Sequence, residues 1–263
     1  MAVFVIVGSR IITSGDGGTN KYDVEAGNNT YDNADIENTK ISEKNKIQNN
    51  QSMLDDIMNS TQYPKQLQEL ALKNEEALEF VYDYPTEHVK EHIVDLTEEA
   101  SMDSVPLFVQ WDKRWGYEKY SGNFFAASGC GPTTLSMVVV YLTHNRDASP
   151  LAVAKYSKEA GYSVDGSGSS WTLISEGCRH YGVKAKTVSL DESRMKAELD
   201  AGHPIVINVG PGDFTDTGHF MVITGYDDEG FSINDPNSIE KSGKRWLFKN
   251  ISSQIRAVWS MYV

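Results

Sequence analysis

Apolar positions are distributed very unevenly along the chain. The first run, Ala2 to Val7, is too short to span a bilayer. It also lacks the basic segment and small-residue cleavage site of a standard export signal, so it reads either as an atypical signal or as a buried strand. From Ser14 to Asn50 the residues are mostly Asn, Asp, Gly, Thr and Lys. Such a stretch cannot bury enough surface to offset its ordering entropy and is expected to be a flexible tether. Helical spacing begins after Pro64, with Leu67, Leu70, Ala71, Leu78 and Val81 separated by polar residues. This predicts an amphipathic helix opened by Pro64 and closed before Pro85. A second, more polar helix is expected over Glu87 to Ala100.

The main body starts near Val105. Apolar patterning predicts helices at about 132–143, 150–160, 170–181 and 192–201, with a short strand over AKTVSL before the last. Three strand-like runs follow, PIVINVG (204–210), HFMVITGY (219–226) and GFSIND (230–235). The DDEG between the last two is a hairpin turn signal. Helices first and an antiparallel sheet later imply an α+β domain with one central cleft. The chain thus divides into an apolar start and tether (1–50), a helical extension packing on the domain (51–104) and the main domain (105–263).

Composition narrows the function classes. The 263 residues carry a net charge of −13. Nucleic acids and anionic membranes are bound through clustered Lys and Arg, so neither is an expected partner. No integral membrane span is expected, and the chain is expected to act as a monomer. The two cysteines, Cys130 and Cys178, have no zinc-ligand spacing around them, and nothing indicates a metal, nucleotide or prosthetic group. An apolar start followed by a polar tether suits an extracellular or cell-surface protein, with the cytoplasm as the alternative.

The candidate chemistry lies in SGCGPTTLSMVVVYL (128–142). Gly129 and Gly131 allow close backbone approach around Cys130, and Pro132 suits the first turn of a helix. A thiol there sits at the positive end of the helix dipole, which favours the thiolate. A packed core cysteine is the competing reading. A nucleophilic thiol needs a base, and the base needs an orienting partner. His144 lies a full helix away, about 20 Å. His88 and His92 are expected in solvent, and His180 and His203 at ordinary element ends. His219 instead opens a strand beside a glycine-containing loop, and Asp235 returns near its level across the hairpin. Asn234 is the rival orienter, but strand alternation turns it to the opposite face. Gln110, at the end of a short apolar strand, is a candidate oxyanion donor together with the Cys130 N–H. Each of these has a structural reading as well, a plain turn for Asp235 and a surface amide for Gln110.

Together VPLFVQWDKRWG (105–116), GCGPTTLSMV (129–138), GHPIVINV (202–209), GHFMVITGYDDEGFSINDP (218–236) and RWLFKNISSQIRAVW (245–259) resemble the C39-like cysteine peptidases of the papain-like superfamily, a bacterial group. The resemblance implies a papain-like fold with the nucleophile's helix packed on a central antiparallel sheet. It implies Cys130 as nucleophile, His219 as general base and acid, Asp235 as orienter and Gln110 as oxyanion donor. Twenty positions separate Gln110 from Cys130, more than in the peptidase domains of bacteriocin exporters, so an inserted loop over GYEKYSGNFFAAS is expected. The implied activity is hydrolysis of a peptide or protein substrate. Alternatives are acyl transfer or transpeptidation by the same residues, a non-catalytic peptide-binding module, and a surface-adhesion protein. Trp111, Trp115 and Trp171 are expected to wall the cleft, with Gly218 at its edge. The GSGSS (166–170) and GPGDFTDTG (210–218) loops should border it.

Overall fold

A five-residue run, Ile205–Val209, is buried at every position. It can be so because it lies inside a six-stranded antiparallel sheet covered on both faces. The computed structural model describes residues 33–263, within which Lys46–Val263 form one compact unit. Two small ribbons come first, β1 (Lys119–Tyr120) with β2 (Asn123–Phe124), and β3 (Ser163–Val164) with β4 (Gly168–Ser169). The main sheet contains β5 (Lys184–Thr187), β6 (Ile205–Val209), β7 (His219–Asp227), β8 (Gly230–Asn234), β9 (Arg245–Trp246) and β10 (Ile255–Tyr262). Their spatial order is β5-β10-β6-β7-β8-β9.

Period-two alternation divides two apolar cores between the faces of this sheet. Val206, Phe220, Val222, Trp259 and Met261 face a core shared with the helices. Ile205, Ile207, Val209, Met221 and Ile223 form the other core. The helices are α1 (Asn33–Asn59), α2 (Lys65–Lys73), α3 (Leu78–Tyr82), α4 (Tyr84–Glu87), α5 (Phe125–Ser128), α6 (Cys130–Thr143), α7 (Pro150–Glu159), α8 (Thr172–Ser175), α9 (Glu192–Asp200), α10 (Ile239–Ser242) and α11 (Phe248–Ile251). Every residue of α6 from Gly131 to Val140 is buried, as expected of a helix that is apolar on all sides. It packs across β7, and this places helix and strand N-termini together.

The local departures from the sequence pattern have identifiable causes. The helix expected from Pro64 to Pro85 breaks at Asn74, which is extended and whose side chain accepts from the Glu76 N–H. Asn offers the backbone this alternative to a helical bond. The last helical piece before Pro85, α3, closes at Tyr82, ahead of the proline as expected, and Pro85 itself lies in the first turn of α4. Most of Glu87–Ala100 is irregular, because Val89 and Ile93 find no apolar partner and remain exposed. The helix expected over 170–181 is divided into α8 and a tight turn, Gly177–Tyr181. Helix α1 takes in residues 33–50, a stretch with no glycine inside the helix and no proline, where composition suggests a tether. Ala2 to Val7 and the first part of that tether lie outside the described residues.

A third apolar cluster joins the extension to the main domain. Leu67, Leu70, Leu78, Phe80 and Val81 pack with Phe124 and Ala126. Phe80 also stacks on Tyr117 at 4.2 Å between ring centroids and occupies the space a side chain at Gly116 would need.

Candidate active site

Helix α6 begins at Cys130 itself, two residues earlier than its proline suggests. The thiol therefore occupies the first helical position, where backbone N–H groups lack helical acceptors. Crowding explains the flanking glycines. A Cβ at Gly129 would enter the Phe125 ring, and one at Gly131 would run into Ser169. Cys130 is partly exposed and free, whereas Cys178 is free and fully buried. Burial pushes the Cys178 thiol up to about 11, so it is inert at neutral pH.

Burial also pushes the Cys130 thiol up, but other groups outweigh it. His219 and the N–H groups of Phe220 and Gly131 act on the sulfur and hold its pKa below the ordinary value. Both backbone polar groups of Phe220 are thus turned toward α6, because its carbonyl accepts from the buried Thr134 hydroxyl at 3.0 Å. Thr134 lies one turn beyond Cys130, so this bond ties the thiol's helix to the strand that carries the imidazole.

His219 is buried and its Nε2 lies 2.7 Å from Oδ1 of buried Asp235. Burial favours the neutral imidazole, but the Asp235 charge and hydrogen bond, together with the thiol, raise the His219 pKa to about 10. With Nε2 committed to the carboxylate, Nδ1 is the nitrogen left for the sulfur. The hairpin turns at Asp228–Glu229, and a bulge between Ile223 and Gly225 takes up the one-residue mismatch between its arms. Asp235 follows the end of β8 and reaches His219 diagonally. Asn234 faces elsewhere, donating to the carbonyls of Val105 and Pro106. His144, in a left-handed conformation past the end of α6, bonds Ala100 instead.

Gln110 is in a turn rather than a strand, and its backbone N–H donates to the Pro236 carbonyl at 2.7 Å. Its buried Nε2 donates to the Ala126 carbonyl at 2.7 Å. Turning the amide over would set two acceptors against each other, so this orientation is fixed and leaves the second N–H of Nε2 uncommitted. Oε1 has no hydrogen-bond partner. The stretch between Gln110 and Cys130 forms the β1–β2 ribbon and α5, and Ala126 belongs to it.

Two connecting hollows, of about 440 and 720 Å³, meet at Cys130 and share Asn123, Ala127, Thr217 and Gly218. Gln110 and His219 line the smaller one together with α2 residues such as Glu69 and Lys73. Trp171 borders the larger one and is 48% exposed. Trp111 lines neither, since its ring packs in the third cluster and its Nε1 donates to the Asn237 carbonyl at 3.3 Å. Trp115 is core. Both glycine-containing loops border the cleft, through Gly166–Ser169 and Gly212–Gly218.

Sequence patterning does not point to a clamp on the Asp235 loop. Glu76 accepts from the Ser238 hydroxyl and from the N–H groups of Ile239 and Glu240, the last two at 2.7 and 3.0 Å. Asn74 donates to the Asn237 carbonyl and side-chain oxygen at 2.9 and 3.1 Å. These contacts span more than 160 positions, and no local signal announces them. Among the described residues there is no cluster of three or more His, Cys, Asp or Glu arranged for a metal, and no helix long and apolar enough to cross a membrane.

A thiol, an imidazole and a carboxylate in this order, with the Gln110 amide lining the same hollow as the thiol, can perform nucleophilic acyl transfer. A helix opening on a cysteine and packed on an antiparallel sheet that presents His and Asp is the papain-like arrangement. Among solved structures, the chain is similar to the peptidase domain of Streptococcus ComA, described as a bi-functional ABC transporter involved in a quorum-sensing pathway. The identity is 18% over 60% of this chain and 96% of that one, with a TM-score of 0.44. It is also similar to a C39-like peptidase structure from Bacillus anthracis, at 18% identity over 60% of this chain and 95% of the other, with a TM-score of 0.37. No curated protein matches it. A sequence model of the Peptidase_C39 like family matches residues 102–263, the whole stretch that holds the thiol, imidazole and carboxylate, and on that match the chain belongs to this family.

Proposed function

We propose that the protein hydrolyses peptide or amide bonds through a thioester intermediate on Cys130. The observation that carries this reading is the buried imidazole set between the Cys130 thiol and the Asp235 carboxylate. The thiolate attacks the scissile carbonyl carbon, and the carbonyl electron pair moves onto oxygen. The free N–H of the Gln110 amide and the Cys130 N–H stabilise that oxyanion. The protonated Nδ1 of His219 gives its proton to the leaving amine as the tetrahedral adduct collapses to the acyl-enzyme. A water then attacks the thioester, His219 takes its proton, and the thiolate is released with a carboxylic acid product. Asp235 holds the imidazole in register and stabilises its cationic form throughout.

The test is turnover of a capped peptide library by the intact chain and by Cys130→Ala, with products identified by mass. Cleavage by the intact chain and none above background by the variant is expected. Equal cleavage by both would overturn the proposal. Including an amine acceptor in the same assay separates hydrolysis from transfer, because transfer products carry the added amine.

A further inference from the structure

Apart from the Cys130 thiol that both hollows share, the larger hollow contains one charged side chain, that of Arg256. The smaller hollow differs, with Glu69, Asp213 and Asp216 mixed with Lys73 and Lys241. Arg256 is exposed and has no carboxylate partner among the described residues, in a chain with 37 acidic and 24 basic residues. Its one polar contact is Nη1 to the Ser253 carbonyl at 2.8 Å.

The backbone places it deliberately. Ile255 pairs with Val209 and Ala257 with Asn208, so Arg256 is the extra residue of a bulge at the start of β10. A bulge re-aims a side chain out of strand alternation. The guanidinium then lies against Gly210, where a Cβ would come within 2.9 Å of Nε. A side chain at 210 would push the charge out of the hollow. Trp171 lines the same hollow, edge-on to Trp259 with ring centroids 6.0 Å apart and its own ring half in solvent. Ser167 and Asn208 also line this hollow with polar side chains. A guanidinium with unfilled donors in a concave, polar, acid-free pocket is suited to bidentate recognition of a carboxylate.

We propose that the hollow lined by Trp171 and Arg256 is a subsite for an acidic side chain flanking the cleaved bond, so that the substrates are acidic peptides. This rests on the peptidase reading above and adds the substrate class to it.

The experiment uses the full chain carrying Cys130→Ala, to which capped octapeptides are bound from a positional-scanning library with Glu, Gln or Lys fixed at one position at a time. At one position Glu should bind about tenfold or more tighter than Lys. Adding Arg256→Glu should abolish or reverse that preference, and adding Arg256→Lys should keep it in weaker form. Absence of any Glu preference, or its persistence in Arg256→Glu, overturns the subsite. The Cys130-intact chain is assayed for cleavage of the same library. Charge-dependent binding without cleavage would leave the subsite standing and remove the peptidase reading, whereas cleavage indifferent to Arg256 would do the reverse.

Discussion

Asp235 sets the protonation state of the pair beside it. Its carboxylate is buried, accepts from His219 and from the Asn237 N–H, and leaves Oδ2 without a partner. An unpaired carboxylate oxygen in the interior is costly, and its compensation is the imidazolium it stabilises. Asp235→Asn keeps the shape and removes the charge. The His219 pKa should then fall from about 10 toward or below the ordinary value, because burial favours the neutral ring. The thiol loses its cationic neighbour and its pKa rises. Steady-state kinetics should show kcat/KM lowered tenfold or more (about one pKa unit). The alkaline limb of the pH profile should move to lower pH. An unchanged profile would mean that the carboxylate is only structural. These residues were legible in the sequence because each carries a local signal, glycines and proline around Cys130 and a strand start at His219. Asp235 needed the hairpin turn to be located correctly.

The element that bears Asp235 is held by an element far away in the chain. Between β8 and α10 the loop receives the Glu76 carboxylate and the Asn74 amide from the break between α2 and α3. The same break is why the long helix expected after Pro64 does not form. A residue that spoils a helix locally does so because its side chain is used elsewhere, and periodicity alone does not register that. The exchange is visible only when residues 74–76 and 235–240 are seen together. Glu76→Ala removes three accepted hydrogen bonds and frees the loop, without touching the thiol or the imidazole. The expected result is a destabilisation of about 1–3 kcal/mol by denaturant unfolding. It should come with a fall in kcat and a downward shift of the alkaline limb, as for Asp235→Asn but smaller. A stability loss with an unchanged pH profile would deny the loop a positioning role.

At the scale of the molecule, the extension and the family-matched region share one core. The match begins at residue 102, yet Phe124, Ala126 and Tyr117 pack on residues that precede it. A chain beginning at residue 102 should therefore expose that cluster and aggregate or unfold, while one beginning at Lys46, where the compact unit starts, should fold and retain activity. Circular dichroism and size-exclusion chromatography of the two would show the difference, and equal behaviour would contradict a shared core. The α+β class and strands β5 to β8 were readable from local apolar runs, whereas β10, which lies between β5 and β6 in the sheet, was not assigned from the sequence. The extension was expected to pack on the domain, but which residues it meets was not readable, because those partners lie in other segments. The central claim is that α6, β7 and the Asp235 loop together keep Cys130 as a thiolate paired with imidazolium. Its most direct measurement is the rate of iodoacetamide alkylation at Cys130 in the intact protein as pH is lowered. Because the thiol pKa is depressed, thiolate should persist well below about pH 8.5, the ordinary thiol midpoint. Alkylation at about pH 6 should exceed that of a free thiol peptide and fall at least tenfold in His219→Ala. A Cys130 rate that follows the free thiol across the whole range, and is indifferent to His219→Ala, would contradict the account.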